Sequence, residues 1–489
     1  MAKLFRTKDT AAMLEEAART DGGLKRTLTV TNLVTLGIGA IVGTGIFVLT
    51  GHAAADHAGP ALTISFLISA LGCVLAGLCY AEFAAMIPVS GSVYSYSYAT
   101  MGEFLAWFIG WDLILEYLFA CSTVAVGWSG YLQNLLEGIG VVLPQSLQCS
   151  LFDHKIVNGE TVHGLINFPA VCVVAIVTAF LFSSVKQSAW VNNVIVVIKV
   201  CVILLFIGFG LSYINMDNWF PYIPERIIDE SGHSHFGWSG IFRGAAVVFF
   251  AYIGFDALST TAQETRNPQR DMPRGILFSL AICALLYVAV TAVLTGIIHY
   301  SNLHVDAPIA LAIDSVGEGL MWLGPFIKLG ALAGLSSVIL VMMLGQSRIY
   351  YAISSDGLLP GALSRVHHRS GVPRNATILA SIATGTIAGL LPLTVLGELV
   401  SIGTLMAFTI VCISIIVLRK TQPALKRPFK VPLVPFVPLL GAAICLLQMV
   451  SLPWNTWVRL FIWTAVGIIL YFSYGFWHSK LRKKDQDEE

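Results

Sequence analysis

Four glycines within LGIGAIVGTGIF, residues 36–47, are the first whose type and spacing point to chemistry. A glycine-rich turn can cradle a phosphate, but the dinucleotide fingerprint is G-x-G-x-x-G after a strand, with an acidic residue about 20 positions further on. Gly37, Gly39, Gly43 and Gly45 lack that spacing, and no Asp, Glu, Lys or Arg lies between Arg26 and Asp56. An uncharged run of that length can cross a hydrocarbon core of about 30 Å. Two readings remain: close helix packing through Gly39-x-x-x-Gly43, or a break in a buried helix. A break at membrane depth is tolerated only where it faces a cavity or other protein. The amides of Gly43, Thr44 and Gly45 would then form the positive end of a half-helix, suited to a carboxylate.

A second stretch, FFAYIGFDALST at 249–260, places Gly254 and Asp256 among aromatics in the middle of another apolar run. Carbonyls freed at Phe250, Ala251 and Ile253, with Ile41 from the first stretch, suit an ammonium group. Two breaks of opposite polarity make a receptor for a free amino acid, whose side chain would meet Tyr252, Phe255, Leu335 and Ser336. Lys199, in VNNVIVVIKVCVILLF, has no acidic neighbour in its own run. A charge at that depth costs several kcal/mol unless partnered or neutralised, which leaves a structural lysine held by carbonyls or one that gains and loses a proton. Ser336 and Ser337 could line its surroundings. Glu116 in GWDLILEY can reach the cavity as a gating acid or remain a paired buried acid. Lys328 reads as structural, snorkelling to an interface, while Glu82, Asp112 and Asp256 read as members of helix-pairing or gating networks.

Other chemistry is poorly supported. Of nine cysteines only Cys149 falls in a loop, and neither disulfide nor zinc spacing is present. The eleven histidines, including His367 and His368, read as solvated loop residues. No metal is expected, and no Ser, His and Asp set converges within the spans to suggest an enzyme.

The elements that position these residues must be membrane helices. The chain has 489 residues, 56% hydrophobic and 12% charged, with mean hydropathy +0.77, against about 25% charged in a soluble domain. Twelve apolar segments are expected near 30–54, 61–86, 101–134, 167–184, 190–213, 241–264, 275–298, 321–352, 376–391, 396–418, 433–451 and 456–476. With the N-terminus inside, 23 of the 29 basic residues fall in the tails and inner loops, so both termini are expected in the cytoplasm. The first 26 residues lack a secretory signal's apolar core and read as a tail with an amphipathic helix near Ala11–Ala18. The net charge of +1 makes no case for a nucleic-acid partner. The expected partners are free L-amino acids and the bilayer, with oligomeric state left open and a monomer sufficient.

These residues also carry a family resemblance. GIGAIVGTGIF, CYAEFAAMIPVSGSVYSYSYATMGE, GWDLILEY, FFAYIGFDALSTTAQETRNPQRDMP, GQSRIYYAISSDGLLP and RPFKVPLVPFVP are together similar to the bacterial branch of the cationic amino acid transporter family, in the amino acid–polyamine–organocation superfamily. The resemblance implies an all-α polytopic membrane protein of 12 transmembrane helices: a 5+5 inverted repeat of the leucine-transporter type plus two extra helices, with helices 1 and 6 broken. Its parts would be a cytoplasmic tail (1–28), the first repeat (29–215), the second repeat (240–420), a final helix pair (431–476) and a second tail (477–489). It implies that the positions at both breaks bind the substrate backbone and that Lys199 is the proton-coupling group. The expected function is a proton-coupled permease of the cytoplasmic membrane. It would import small, mostly neutral L-amino acids, alanine-like in preference, as a symporter with no cofactor but protons. A cationic amino acid carrier, an exchanger and an amino-acid sensor are the alternatives.

Overall fold

A computed structural model describes residues 6–8, 28–86, 92–152, 154–157, 160–183, 185–228, 234–259, 265–366 and 373–482. The tail helix expected near Ala11–Ala18 and the pair His367 and His368 lie outside the described residues. The chain is mostly helical. Helix α1 spans Val30–Ile41, opened by a capping box in which the Asn32 amide donates to Thr29 Oγ1 and the Thr29 amide to Asn32 Oδ1. Helix resumes beyond residues 42–43 as α2 (Thr50–Ala53), flanked by wider π-helical turns over Gly45–Leu49 and Ala54–Ala58. Then come α3 (Leu62–Met86), the short α4 (Ser92–Thr100), α5 (Glu103–Gly138), α6 (Phe168–Ser183) and α7 (Val185–Gly210). The second run comprises α8 (Gly237–Val248), α9 (Phe255–Ser259), α10 (Pro268–Ile297), α11 (Pro308–Val316), α12 (Gly324–Ser355), α13 (Arg374–Leu390) and α14 (Leu393–Thr421). Helices α15 (Phe436–Ser451) and α16 (Trp454–Leu470) close the chain.

Two small antiparallel hairpins decorate the connections: β1 (His154–Val157) with β2 (Glu160–His163), and β3 (Ile227–Ile228) with β4 (Ser234–His235). Helix α4 and these hairpins are additions to the expected all-helical spans. Helix α10 starts seven residues before the expected 275 because Pro268 occupies its first turn, where a missing amide donor costs nothing.

Among the described residues, seven helical stretches are long and apolar enough to cross a membrane, and Val30–Ile41, Phe168–Phe182 and Phe436–Ser451 are shorter apolar helices. Large side chains such as Leu285, Ile469 and Phe326 point outward at 60–74% exposure. An apolar belt of this kind needs lipid as its solvent. The interior is built by α5 packed on α12 and α14, α3 on α8 and α10, α6 on α13, and α1 on α10. Ion pairs tie the ends. The buried Glu82 accepts from Arg419 Nε at 3.1 Å and Nη2 at 2.6 Å, and from the Val431 amide. Lys328 pairs with Asp314 at 2.9 Å.

Candidate functional site

Helix α1 stops at Ile41 because Val42 takes an extended conformation (ψ 100°), and the helix restarts as the amides of Ile46 and Phe47 both donate to Gly43 O at 3.2 Å. No backbone acceptor among the described residues meets the amides of Gly43, Thr44 or Gly45. The buried Thr44 hydroxyl also lacks a hydrogen bond. The second interruption lies between α8 and α9, where a 3₁₀ turn over Phe249–Tyr252 gives way to an extended Ile253 (ψ 144°) and to Gly254 at φ +115°. Only glycine adopts that φ without strain. The Gly254 amide donates to Asp256 Oδ1 at 3.1 Å, and a β-carbon on Gly254 would lie 2.8 Å from Ala40 O. The two breaks therefore touch. A β-carbon on Gly45 would stand 2.2 Å from Ala251 Cα.

A cavity lies between them, walled by Ala40, Ile41, Gly43, Thr44 and Gly45 of the first break, Phe250 and Ile253 of the second, Val124 of α5, and Val338 and Met342 of α12. Its volume is about 10 Å³, room for about one water, so the site is contracted below the size of an amino acid in this structure. Of the expected binding residues, Ile41, Gly43, Thr44, Gly45, Phe250 and Ile253 form its wall. Ala251 packs under Gly45. Four others lie off the wall. Tyr252 turns away because its hydroxyl donates to Phe66 O at 3.0 Å and its ring packs on Phe66 and Tyr287. Phe255 is held by Tyr80 and Phe408. Leu335 precedes Val338 on α12 by nearly a turn and Ser336 by about half a turn, which points it to another face, and Ser336 Oγ donates to Leu332 O of its own helix at 2.8 Å.

Lys199 reaches from α7 to the break. Its Nζ donates to Val42 O at 2.9 Å and to Gly39 O, two carbonyls at the C-terminal end of α1. A cation there satisfies orphan carbonyls and complements the helix dipole. The side chain is fully buried, and a β-carbon on Gly334 of α12 would lie 3.3 Å from it, so Lys199 joins α7, α1 and α12. Glu116 is buried on α5, off the cavity wall. Asp256 accepts from the Tyr117 hydroxyl at 2.8 Å.

Tyr287 of α10 has no counterpart in the expectations. Its hydroxyl lies 2.9 Å from Ile41 O and 2.8 Å from Ala251 O, one carbonyl from each break. A hydroxyl has a single proton to share between them, and each carbonyl has two lone pairs, so accepting capacity remains for an ammonium group. No motif marks Tyr287, Val124, Val338 or Met342, which sit in ordinary apolar helix sequence. The expectation of solvated histidines also fails among the described residues: His52 is buried in the second half of the first helix, and His57 has a buried ring nitrogen.

A family model described as "Amino acid permease" matches residues 28–473. The chain is 46% identical over 483 residues to the "Methylthioribose transporter" of Bacillus subtilis (strain 168), covering 99% of this chain and 100% of that protein. It is 46% identical over 481 residues to the "Branched-chain amino acid permease BcaP" of the same organism, covering 98% of this chain and 99% of that protein. Identity to the "Cationic amino acid transporter 2, vacuolar" of Arabidopsis thaliana is 39% over 400 residues, covering 82% of this chain and 61% of that protein.

Proposed function

We propose what this chain carries on one premise: it belongs to the amino acid permease family, within the amino acid–polyamine–organocation superfamily. The substrate is a free L-amino acid with a small, neutral, apolar side chain, alanine-like up to branched-chain in size, imported across the cytoplasmic membrane by alternating access. One observation carries this reading. The cavity between the two breaks offers amides with no backbone acceptor among the described residues at Gly43, Thr44 and Gly45 on one side and apolar groups elsewhere, while beside it the carbonyls of Ile41, on the wall, and Ala251, packed under Gly45, share the Tyr287 hydroxyl and keep a lone pair each. A carboxylate and an ammonium on one carbon match the polar groups, and Val124, Phe250, Val338 and Met342 match the remainder.

A cationic side chain would need a carboxylate, and none of the described wall residues carries one. Methylthioribose, named for one relative, has neither an ammonium nor a carboxylate, so the polar breaks favour the amino acid. Twelve spans, both termini in the cytoplasm and two inverted repeats (29–215 and 240–420) complete the architecture. The mutual packing of α3 with α10, α5 with α12, and α6 with α13 supports the repeat, since these are the second, third and fourth spans beside their proposed equivalents.

Protons drive accumulation through Lys199. In its charged form the ammonium holds the carbonyls of Gly39 and Val42 and fixes the break against α12; loss of the proton weakens that hold, so opening becomes linked to protonation. Labelled L-alanine uptake into liposomes under an imposed pH step, with and without sodium, tests this. Wild type should accumulate without sodium, and Lys199→Ala should retain exchange but lose accumulation. Accumulation by the variant, or a sodium requirement in wild type, rejects the coupling role.

A further inference from the structure

Four side chains with no part in the substrate site converge at the far end of the first helix. His52 and Asp56 are four residues apart on Thr50–Ala58, spacing that puts them on one helix face. His304 and Asp306 come from the loop between α10 and α11, which is pressed against that stretch: a β-carbon on Gly51 would lie 2.4 Å from Leu303 O. One donor atom from each of His52, Asp56 and His304 lies within 4.8 Å of the others. His304 Nδ1 is 2.8 Å from Asp56 Oδ1, and the two imidazole rings meet edge to face with centroids 4.5 Å apart. His52 is 7% exposed, neither of its ring nitrogens has a hydrogen bond, and its Nε2 approaches Asp306 Oδ1 only to 3.5 Å. A buried polar group left in this way is costly. A ligand that takes a lone pair from the imidazole removes the cost.

We propose that His52, His304 and Asp56, with Asp306 as fourth donor, form a site for a divalent transition metal of the zinc class. Two imidazoles and two carboxylates match the nitrogen and oxygen donors that tetrahedral zinc takes, whereas calcium and magnesium want oxygen alone. Zinc bonds of about 2.0 Å place donors about 3.3 Å apart, so His52, Asp56 and His304, whose donors already lie within 4.8 Å of one another, close around the ion by shifts of about 1 Å, and Asp306 swings in from its place beside His52 Nε2. The metal staples the outer half of the broken helix to the loop before α11. Gly45, where that half starts at the substrate cavity, is seven residues from His52, about 10 Å along a helix. The functional consequence rests on the transport reading: helix and loop must part to admit substrate from this side, so bound metal slows uptake.

The test titrates the purified full-length chain with zinc chloride by calorimetry. One ion should bind with micromolar affinity, weakened about tenfold or more in His52→Ala and in His304→Ala. His304 has a side chain 57% exposed, so its replacement leaves the core intact, and His478→Ala, by the C-terminus, should bind as wild type does. Absence of saturable binding below about 1 mM, or wild-type affinity in either variant, overturns the site. In liposomes, zinc added to this face should slow uptake about fivefold in wild type and leave His304→Ala unaffected; full uptake with zinc bound overturns the staple. Failure of uptake without zinc counts against the transport reading alone, because binding is measured separately.

Discussion

Adding one methyl group to Gly45 should weaken substrate binding strongly while Gly43→Ala does much less. A β-carbon at Gly45 would sit 2.2 Å from Ala251 Cα and 2.3 Å from its Cβ. Carbon atoms rest about 3.5–4.0 Å apart, so the two breaks must separate by about 1.5 Å. Both obstacles are fixed to backbone, and overpacking of this kind costs about 1–3 kcal/mol. The same displacement carries the amides of Thr44 and Gly45 out of hydrogen-bond range of a carboxylate, a charge-assisted bond worth about 1.5–3 kcal/mol. At about 1.4 kcal/mol per tenfold, affinity should fall about 10- to 100-fold. At Gly43 the nearest obstacle is Val338 Cγ2 at 3.1 Å, a side-chain methyl that can move, and the loss should stay below about tenfold. The assay is binding of radiolabelled L-alanine to detergent-purified protein, with size-exclusion profiles confirming that each variant is folded. Near-wild-type affinity in Gly45→Ala, or a greater loss in Gly43→Ala, would refute the contact between the breaks as the basis of the site.

Tyr287→Phe removes the hydroxyl that ties Ile41 O to Ala251 O and should weaken L-alanine binding by about tenfold, since the two breaks lose a hydrogen bond worth about 0.5–1.5 kcal/mol that holds their carbonyls in register for the ammonium; unchanged affinity would show that the hydroxyl does not organise the site. Glu82→Gln leaves Arg419 and Arg427, 3.5 Å from the carboxylate, without their anion, a change expected to cost about 3 kcal/mol. It should lower the thermal unfolding midpoint without altering substrate selectivity, and an unchanged midpoint would count against the network as a fold-stabilising device.

Whatever in this protein contradicts its own surroundings could be read along the chain. Glycines in an uncharged run announced the first break, Gly254 beside Asp256 announced the second, and Lys199 stood out because nothing near it in sequence could neutralise it. Apolar residues in apolar helices carry no such contrast. Val124, Val338 and Met342 become cavity wall only through the packing of α5 and α12 against the breaks. Tyr287 acquires its role from two carbonyls, 246 and 36 residues away. Tyr252 and Phe255 flank the wall residue Ile253 in sequence, but the extended Ile253 and the left-handed Gly254 turn their side chains toward other aromatics. Long-range pairs were illegible for the same reason, Glu82 with Arg419 across 337 positions and Asp56 with His304 across 248.

The most direct measurement of the central claim, that the paired breaks hold the charged groups of a free amino acid, is competition against labelled L-alanine by L-alanine, L-leucine, propionate and ethylamine at equal concentration. The account predicts displacement by the two amino acids and almost none by either fragment, because each fragment leaves one break unpaired. Strong displacement by propionate or ethylamine alone would contradict it.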